Sequence, residues 1–243
     1  MSCVRSALFF VLMVLWTMPY GVLGIVLPLL PMKTGTRHRI IVFWAHGANA
    51  LVRTVLGIRY RVIGLENVPN SPVVLVCKHQ SAWETIALQV IFPPMCFVLK
   101  AELLKIPFLG WGLRGIQKVA INRAAGRGAL KQLIDQGTAL LKSGYWVTIF
   151  PEGTRVAPGE QRPYKPGAAV LACAAQVPVL PVAHNAGEFW PRQAFIKRPG
   201  EIIVSIGAPI SSEGHTPDSL TQAAQTWIEA EMRARFAHLY KTL

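Results

Sequence analysis

The chain has 243 residues, with 25 Lys and Arg against 12 Asp and Glu, which gives a formal net charge of +13. It is also apolar, since 52% of its residues are hydrophobic, 15% are charged and the mean hydropathy is +0.37. Soluble domains carry about 25% charged residues, so the composition argues against a freely soluble basic protein and excludes a disordered or collagen-like chain. A basic, apolar chain is typical of a protein that rests on an anionic membrane surface. We expect no nucleic-acid partner, because nucleic-acid binding would explain the charge but not the hydropathy, and no nucleic-acid-binding motif is present.

The first quarter of the chain predicts a membrane anchor. Residues 1–65 contain seven basic residues and no acidic residue, and the stretch from Ser6 to Met32 carries no charge at all. Its length suffices for a helix to cross a bilayer core of about 30 Å, but Pro19 predicts either a kinked span or two short helices within one leaflet. A second apolar stretch, Ile40 to Ile58, contains Arg53 and is expected to be interfacial. We therefore predict N-terminal membrane-anchoring helices over residues 1–58.

The same segment suggests where the protein is located. The uncharged core is longer than that of a usual signal peptide, and no small-residue cleavage site precedes the basic cluster at 33–39, so we expect an uncleaved anchor. Basic residues flank both ends, which favours a cytoplasmic location for both. We expect a membrane protein with its active site on the cytoplasmic face, in a bacterial inner membrane.

The cysteines show no CxxC or Cys/His metal spacing. Cys3, Cys77, Cys96 and Cys173 each lie in an apolar context, and we predict buried free thiols, in keeping with a reducing cytosol, and no metal site.

From residue 59 onward, short β-branched runs alternate with helical segments. This pattern predicts one α/β domain over residues 59–243, with a mixed, mostly parallel sheet covered by helices. The predicted strands are Tyr60–Gly64, Val73–Cys77, Cys96–Leu99, Val119–Asn122, Val147–Phe150, Val179–Ala183 and Ile202–Ile206. The predicted helices are Thr85–Ile91, Gly128–Lys142, Gly167–Ala175 and a last helix with Thr216 as N-cap that runs towards Tyr240.

His79 and Glu84 follow the apolar run VVLVC. In an open α/β sheet, ligands bind beyond the carboxyl ends of strands, which places this pair where chemistry is expected. A carboxylate on one ring nitrogen would fix the tautomer and leave the other nitrogen to accept a proton. The alternative is a polar loop whose Ser81 caps the next helix and whose histidine is incidental.

A second polar turn, Phe150-Pro151-Glu152-Gly153-Thr154-Arg155, also ends a predicted strand. Gly153 permits a close backbone approach, Thr154 supplies a hydroxyl, and Arg155 offers a bidentate fork for a phosphate. Glu152 could bind a hydroxyl or hold Arg155 in place. An ordinary turn with a Glu–Arg ion pair would show the same residues.

Two further motifs are weak when taken alone. Lys100 opens a KAELLKIPFLG block that is followed by Arg123, and these cations could surround a phosphate or form a solvated face. The proline-bounded strand VPVLPVAH contains Pro181 and ends at His184. We expect that strand to belong to the core, with His184 a weak candidate for a second catalytic group.

These four motifs, in this order, resemble the 1-acylglycerol-3-phosphate acyltransferase family, the lysophosphatidic acid acyltransferases, over roughly residues 59–185. His79 matches the family's histidine, whereas Glu84 stands for its aspartate and Lys78 for the asparagine before the histidine; a cation at this position could depress the pKa of His79 or contact phosphate. The residues from Phe150 to Arg155 match the glycerophosphate motif in full. The remaining matches are Lys100, Glu102, Leu103, Ile106, Pro107, Gly110, Arg123 and, in the Val-Pro-Val-x-Pro motif, Pro181.

The resemblance implies transfer of a fatty acyl group from an acyl thioester, acyl-CoA or acyl-ACP, to the sn-2 hydroxyl of lysophosphatidic acid, giving phosphatidic acid without a bound cofactor. His79 would be the general base and Glu84 would orient it. Arg155, Arg123 and Lys100 would hold the phosphate, Glu152, Gly153 and Thr154 would shape the glycerol site, and Pro181 would be structural or line the acyl site. The alternatives are another acceptor, such as a lyso-ornithine lipid, glycerol 3-phosphate or another lysophospholipid, or a non-catalytic lipid-binding protein.

Overall fold

A central β-sheet organises the chain in a computed structural model that describes residues 1–26, 29–30, 34–106 and 109–240. Within this part of the chain the sheet has seven strands, in the order β1-β7-β6-β2-β5-β3-β4. The strands are β1 (Ile58–Ile63), β2 (Val74–Cys77), β3 (Met95–Lys100), β4 (Lys118–Ile121), β5 (Trp146–Ile149), β6 (Val179–His184) and β7 (Gly200–Ile206).

Five of the strands, β6, β2, β5, β3 and β4, run parallel to one another. Strand β7 is antiparallel to β6, and β1 is parallel to β7. The predicted fold class, a mixed and mostly parallel sheet, is therefore confirmed. The carboxyl ends of the five parallel strands lie at one edge of the sheet, which we call the carboxyl edge.

Helices cover both faces of the sheet, as near-continuous apolar strands require. The helices are α1 (Ser2–Val26), α2 (Thr34–Leu51), α3 (Trp83–Ile91), α4 (Leu109–Arg114), α5 (Arg127–Lys142), α6 (Gly167–Ala175), α7 (Ala186–Phe189) and α8 (Pro217–Arg235). Helices α5, α6 and α8 share one hydrophobic core with the sheet. The other face is covered by α1, α3 and a π-helical turn at Val52–Leu56.

Helix α8 begins as the sequence predicts, with a capping box between Thr216 and Ser219 and with Pro217 in the first turn. It ends earlier than predicted, at Arg235, and a 3₁₀ turn at Ala237–Leu239 follows. The sequence did not predict the short helices α4 and α7. Such short helices carry too few apolar residues for their periodicity to be read.

Helix α1 is continuous through Pro19, so residues 2–26 do not form two short helices. Residues 27–28 and 31–33 of the predicted anchor lie outside the described part of the chain. Among the described residues, α1 is the one helix whose length and composition would allow it to cross a membrane.

One face of α1 packs on the rest of the protein from end to end. Near its start, the Arg5 guanidinium donates to the carbonyl of Val55 at 2.6 Å. Near its end, Gly24 lies so close to α4 that a Cβ atom there would be 2.5 Å from the Gly112 Cα. The opposite face carries an exposed apolar stripe at helical spacing, made of Val4, Leu8, Val11, Leu15, Met18, Val22 and Ile25.

The four cysteines are free thiols, as predicted. Cys77 and Cys96 are buried, but the predicted burial is wrong for Cys3, which is exposed, and for Cys173, which is half-buried. Cys3 lies in the first turn of α1, where an apolar sequence context does not guarantee a packing partner.

Candidate active site

The candidate site lies at the carboxyl edge, where the loops after β2 and β5 meet. The backbone N–H of Val156 donates to the carbonyl of His79 at 2.8 Å, so the two motif loops are tied together. The His79 ring stacks on Phe150, with centroids 3.9 Å apart and an interplanar angle of 14°. Residues 71 positions apart are thus brought into contact by the β2–β5 pairing.

His79 and Glu84 form the hydrogen bond that the sequence predicted. His79 Nδ1 lies 2.8 Å from Glu84 Oε1, and because a carboxylate only accepts, Nδ1 donates. Helix α3 begins at Trp83, so Glu84 sits in its first turn and its side chain folds back along the loop. This geometry leaves Nε2 of His79 as the nitrogen that can accept a proton.

The Glu84 carboxylate is fully buried and has further donors. It accepts from the backbone N–H of Gln80 at 2.9 Å and from that of Ser81 at 2.8 Å. Burial by itself would raise the pKa of Glu84, but the hydrogen bond from His79, the charges of His184 and His79 and the Ser81 N–H hold the pKa below its usual value. Glu84 is therefore an ionised group of fixed orientation, and with its extra methylene it still reaches His79 Nδ1 at 2.8 Å.

The loop from Phe150 to Arg155 begins as a tight turn in which the N–H of Gly153 donates to the carbonyl of Phe150 at 3.0 Å. Gly153 has φ +69°, a left-handed conformation that favours glycine. Thr154 and Arg155 are half-buried, and the Arg155 guanidinium bonds to none of the described residues. Arg155 is thus available for an anion, in place of the Glu–Arg ion pair of an ordinary turn.

Glu152 points away from Arg155 and into the protein. Its carboxylate is buried, with Oε1 3.5 Å from the ammonium of Lys78. Lys78 is itself fully buried and forms a closer ion pair with Glu229 of α8, at 2.6 Å. Burial raises the pKa of Glu152 to about 7, although the Lys78 charge opposes this. The cation before His79 therefore contacts two buried carboxylates.

The other predicted site residues lie on neighbouring strands or on the turns that follow them. Lys100 is exposed at the carboxyl end of β3. Arg123 begins a 3₁₀ turn after β4, at the same edge, but its side chain and Pro107 lie outside the described residues. Pro181 is buried within β6, opposite Val76 of β2, which places it in the sheet.

His184 supports the loop that carries His79. It is fully buried, and its Nε2 lies 2.8 Å from the carbonyl of Lys78 while Nδ1 accepts from the N–H of Ala186 at 3.1 Å. Burial, the largest effect, lowers the pKa of His184, although the nearby Glu84 charge opposes it. With both nitrogens engaged and no exposure, His184 is placed to position the Lys78 carbonyl.

Two cations near the site were missed by the sequence reasoning. Lys165 lies across Gly153, with its ammonium 3.1 Å from the position that a Cβ would take. Arg192 Nη1 donates to the carbonyl of Arg155 at 3.0 Å. Neither residue belongs to a motif, so only the tertiary contacts show that they lie near the site.

The fold and the paired motifs define the class of protein. The family model described as Acyltransferase matches residues 59–185. The chain belongs to the acyltransferase family and is an enzyme of that family.

Its relatives place it more narrowly. A 1-acyl-sn-glycerol-3-phosphate acyltransferase of Pseudomonas aeruginosa is 44% identical over 236 residues, 95% of this chain and 91% of that protein. The enzyme of the same name from Saccharomyces cerevisiae is 30% identical over 88% of this chain and 72% of that protein. The crystal structure of a 1-acyl-sn-glycerophosphate (LPA) acyltransferase, PlsC, from Thermotoga maritima shares the fold, with a TM-score of 0.78 at 23% identity, covering 95% of this chain and 94% of that one. The chain is a member of the 1-acyl-sn-glycerol-3-phosphate acyltransferases.

Proposed function

We propose that this enzyme transfers a fatty acyl group from an acyl thioester to the sn-2 hydroxyl of 1-acyl-sn-glycerol 3-phosphate, forming phosphatidic acid. The observation that carries this proposal is the contact between an oriented His79–Glu84 pair and the loop that ends at Arg155, whose guanidinium bonds to none of the described residues. A base and an anion-binding group on adjoining loops suit an acceptor that carries both a hydroxyl and a phosphate.

His79 is the general base of the proposed reaction. Its Nε2 removes the proton of the hydroxyl, whose oxygen attacks the thioester carbonyl carbon, while the Glu84 carboxylate stabilises the imidazolium through Nδ1. The C–S bond then breaks, and the imidazolium returns its proton to the departing thiolate. A positioned base contributes typically ~10²–10⁴-fold to the rate.

Arg155 holds the phosphate, with Arg123 and Lys100 at the ends of the neighbouring strands. A guanidinium can bind two phosphate oxygens at once, which fixes the orientation of the acceptor as well as its charge. Gly153 and Thr154 shape the glycerol site. Glu152 holds the loop from Phe150 to Arg155 in place through its buried contact with Lys78.

The donor is acyl-CoA or acyl-ACP, both of which are acidic and suit a chain with net charge +13. The reaction requires no bound cofactor, because the thioester is already activated. This expectation follows from the chemistry of acyl transfer to a hydroxyl.

The enzyme is proposed to lie on the cytoplasmic surface of a bacterial inner membrane, with α1 parallel to the bilayer. Support comes from the contacts of α1 with the protein near both its ends, at Arg5 and Gly24, and from its exposed apolar stripe. A helix with one protein-facing and one apolar face can insert that apolar face into the acyl-chain boundary.

Replacing His79 with alanine tests the proposal. In membranes supplied with lysophosphatidate and an acyl thioester, turnover by H79A is expected to fall ~10²–10⁴-fold, whereas H46A, at an exposed position of α2, is expected to retain wild-type turnover. Near wild-type turnover by H79A would refute the mechanism. Faster turnover with glycerol 3-phosphate or another lysolipid in the same assay would change the assigned acceptor.

A further inference from the structure

The loop between α7 and β7, residues 190–199, has an apolar tip and positively charged residues on either side of that tip. It contains Arg192, Lys197 and Arg198 and no acidic residue. Phe195 and Ile196 at its tip are 51% and 47% exposed. We call this segment the 190–199 loop. Exposed large apolar side chains surrounded by cations are typical of a surface that contacts anionic lipid.

The 190–199 loop is held in a defined shape. The N–H of Arg198 donates to the carbonyl of Phe189 at 2.8 Å, which closes the loop at its base. The Lys197 ammonium donates to the carbonyl of Phe195 at 2.8 Å and lies over the ring of Trp190 at 5.3 Å. The tip is therefore fixed in an exposed position by bonds at its base.

The loop packs on the protein-facing side of α1. The backbone N–H of Lys197 donates to the Ser6 hydroxyl at 2.9 Å, and Phe9 meets Trp190 edge to face with ring centroids 5.3 Å apart. These contacts lie on the face of α1 that turns away from the exposed stripe. The loop and the first turns of α1 thus form one rigid unit with two exposed apolar elements.

The loop also reaches the candidate active site. Arg192, in its first part, donates to the carbonyl of Arg155, the proposed phosphate ligand. A single ten-residue segment therefore contacts both the membrane-facing helix and the phosphate-binding loop.

We propose that the 190–199 loop is a second membrane-contacting element of the enzyme. Phe195 and Ile196 insert among the acyl chains of an anionic bilayer, while Arg192 and Arg198 bind lipid phosphates at headgroup level. This insertion sets Arg155 at the depth of the acceptor phosphate, so that lysophosphatidate reaches the site without leaving the bilayer. The inference rests on the proposed function for its substrate, but the loop's contact with lipid can be measured without any turnover.

The first experiment measures the contact directly. Cys3 and Cys173 are replaced by serine in the full chain, Ile196→Cys is added and labelled with an environment-sensitive nitrobenzoxadiazole dye, and the protein is reconstituted into phosphatidylcholine vesicles with or without phosphatidylglycerol. Cys77 and Cys96 are buried and are not expected to label. The matched control places the dye at Lys131→Cys, an exposed position of α5 on the other face of the sheet.

The dye at position 196 is expected to shift to the blue and to be quenched by doxyl-labelled lipids, more strongly when phosphatidylglycerol is present. The dye at position 131 is expected to show neither effect. An aqueous spectrum at position 196, with quenching no greater than at position 131, would overturn the proposal. Quenching that is the same with and without phosphatidylglycerol would overturn the role given to the arginines.

The second experiment measures what the contact does for turnover. The variant F195S/I196S is compared with L65S, which removes a similarly exposed apolar side chain (55%) after β1, at the edge of the sheet opposite the site. The double variant is expected to raise the KM for lysophosphatidate in vesicles about tenfold, and to leave turnover of a short-chain, water-soluble lysophosphatidate unchanged. An equal loss with both acceptors would overturn the proposal. Wild-type protein inactive on both would refute the proposed function instead, and the dye measurement would still decide the role of the loop.

Discussion

Replacing Glu84 with glutamine preserves the size of a buried side chain while removing its charge. The carboxylate receives three donors, His79 Nδ1 and the backbone N–H groups of Gln80 and Ser81, at 2.8 to 2.9 Å. A carboxamide has one oxygen for these donors, and its NH₂ group then faces an N–H. A buried donor left unsatisfied costs about 1–3 kcal/mol, so E84Q is expected to lower the free energy of unfolding by that amount.

The effect on catalysis is expected to be larger, because Glu84 both fixes the tautomer of His79 and stabilises the imidazolium. Loss of an oriented base lowers kcat ~10²–10⁴-fold, which corresponds to about 3–5 kcal/mol of transition-state stabilisation. The KM for lysophosphatidate should change little, since the hydrogen bonds of the Glu84 carboxylate in the described part of the chain go to residues 79–81 and not to residues 150–155.

A double-mutant cycle of steady-state kinetics in detergent–lipid micelles checks this reasoning. Because Glu84 acts through His79, adding E84Q to H79A should lower kcat no further. If the losses multiply, Glu84 has a catalytic role independent of His79 and the argument is wrong. E84D, which shortens the side chain by one methylene, is expected to fall between wild type and E84Q.

Three further predictions concern the residues around this pair. Removing the buried ammonium in K78M leaves Glu152 and Glu229 uncompensated and is expected to lower the free energy of unfolding in urea by about 3–5 kcal/mol; K131M, at an exposed ion pair, should change it by less than about 1 kcal/mol. The folded pKa of Glu152, about 7, exceeds the unfolded value of about 4.3, so the stability that this group contributes is lost as the pH rises between the two values. Raising the pH from about 5.5 to about 8 should therefore lower the free energy of unfolding in urea less for E152Q than for wild type. R155K is expected to raise the acceptor KM roughly tenfold with kcat little changed, because lysine lacks the bidentate fork.

Each of these predictions has an opposing result. A K78M protein as stable as K131M would show that the buried network contributes no net stability. Equal pH dependence in E152Q and wild type would remove Glu152 as the titrating group. A loss in kcat alone for R155K would contradict the phosphate-binding role of Arg155.

The seven strands could be predicted because they are short runs rich in β-branched and apolar residues, and the central strands β2, β5 and β6 are fully buried. Val74–Cys77 and Val179–His184 are buried at every position, so their sequences carry a continuous apolar signal. His79 and Glu84 could be predicted because ligands bind beyond the carboxyl ends of such strands. Their hydrogen bond is local, between residues five positions apart.

The contacts of Lys78 and of the 190–199 loop could not be predicted from local sequence. The partners of Lys78 are 74 and 151 positions away, on the loop after β5 and on α8. From the sequence, a cation at this position could depress the pKa of His79 or contact phosphate. Only folding brings two carboxylates to its ammonium.

The basic and apolar composition of the chain predicts a membrane partner, and the ordered motifs predict an acyltransferase. Both predictions are possible because they depend only on residue identity and local spacing. How the protein meets the membrane depends on which face of α1 is covered, and that is decided by contacts with residues such as Gly112 and Trp190, which are distant in the chain. Likewise, Arg192 approaches Arg155 only because β6 and β5 both pair with β2, so that the loops that follow them lie at the same edge of the sheet. Local chemistry is determined by residue identity and spacing in the sequence. The face that a helix leaves exposed and the charges that lie together in a site are determined by long-range packing.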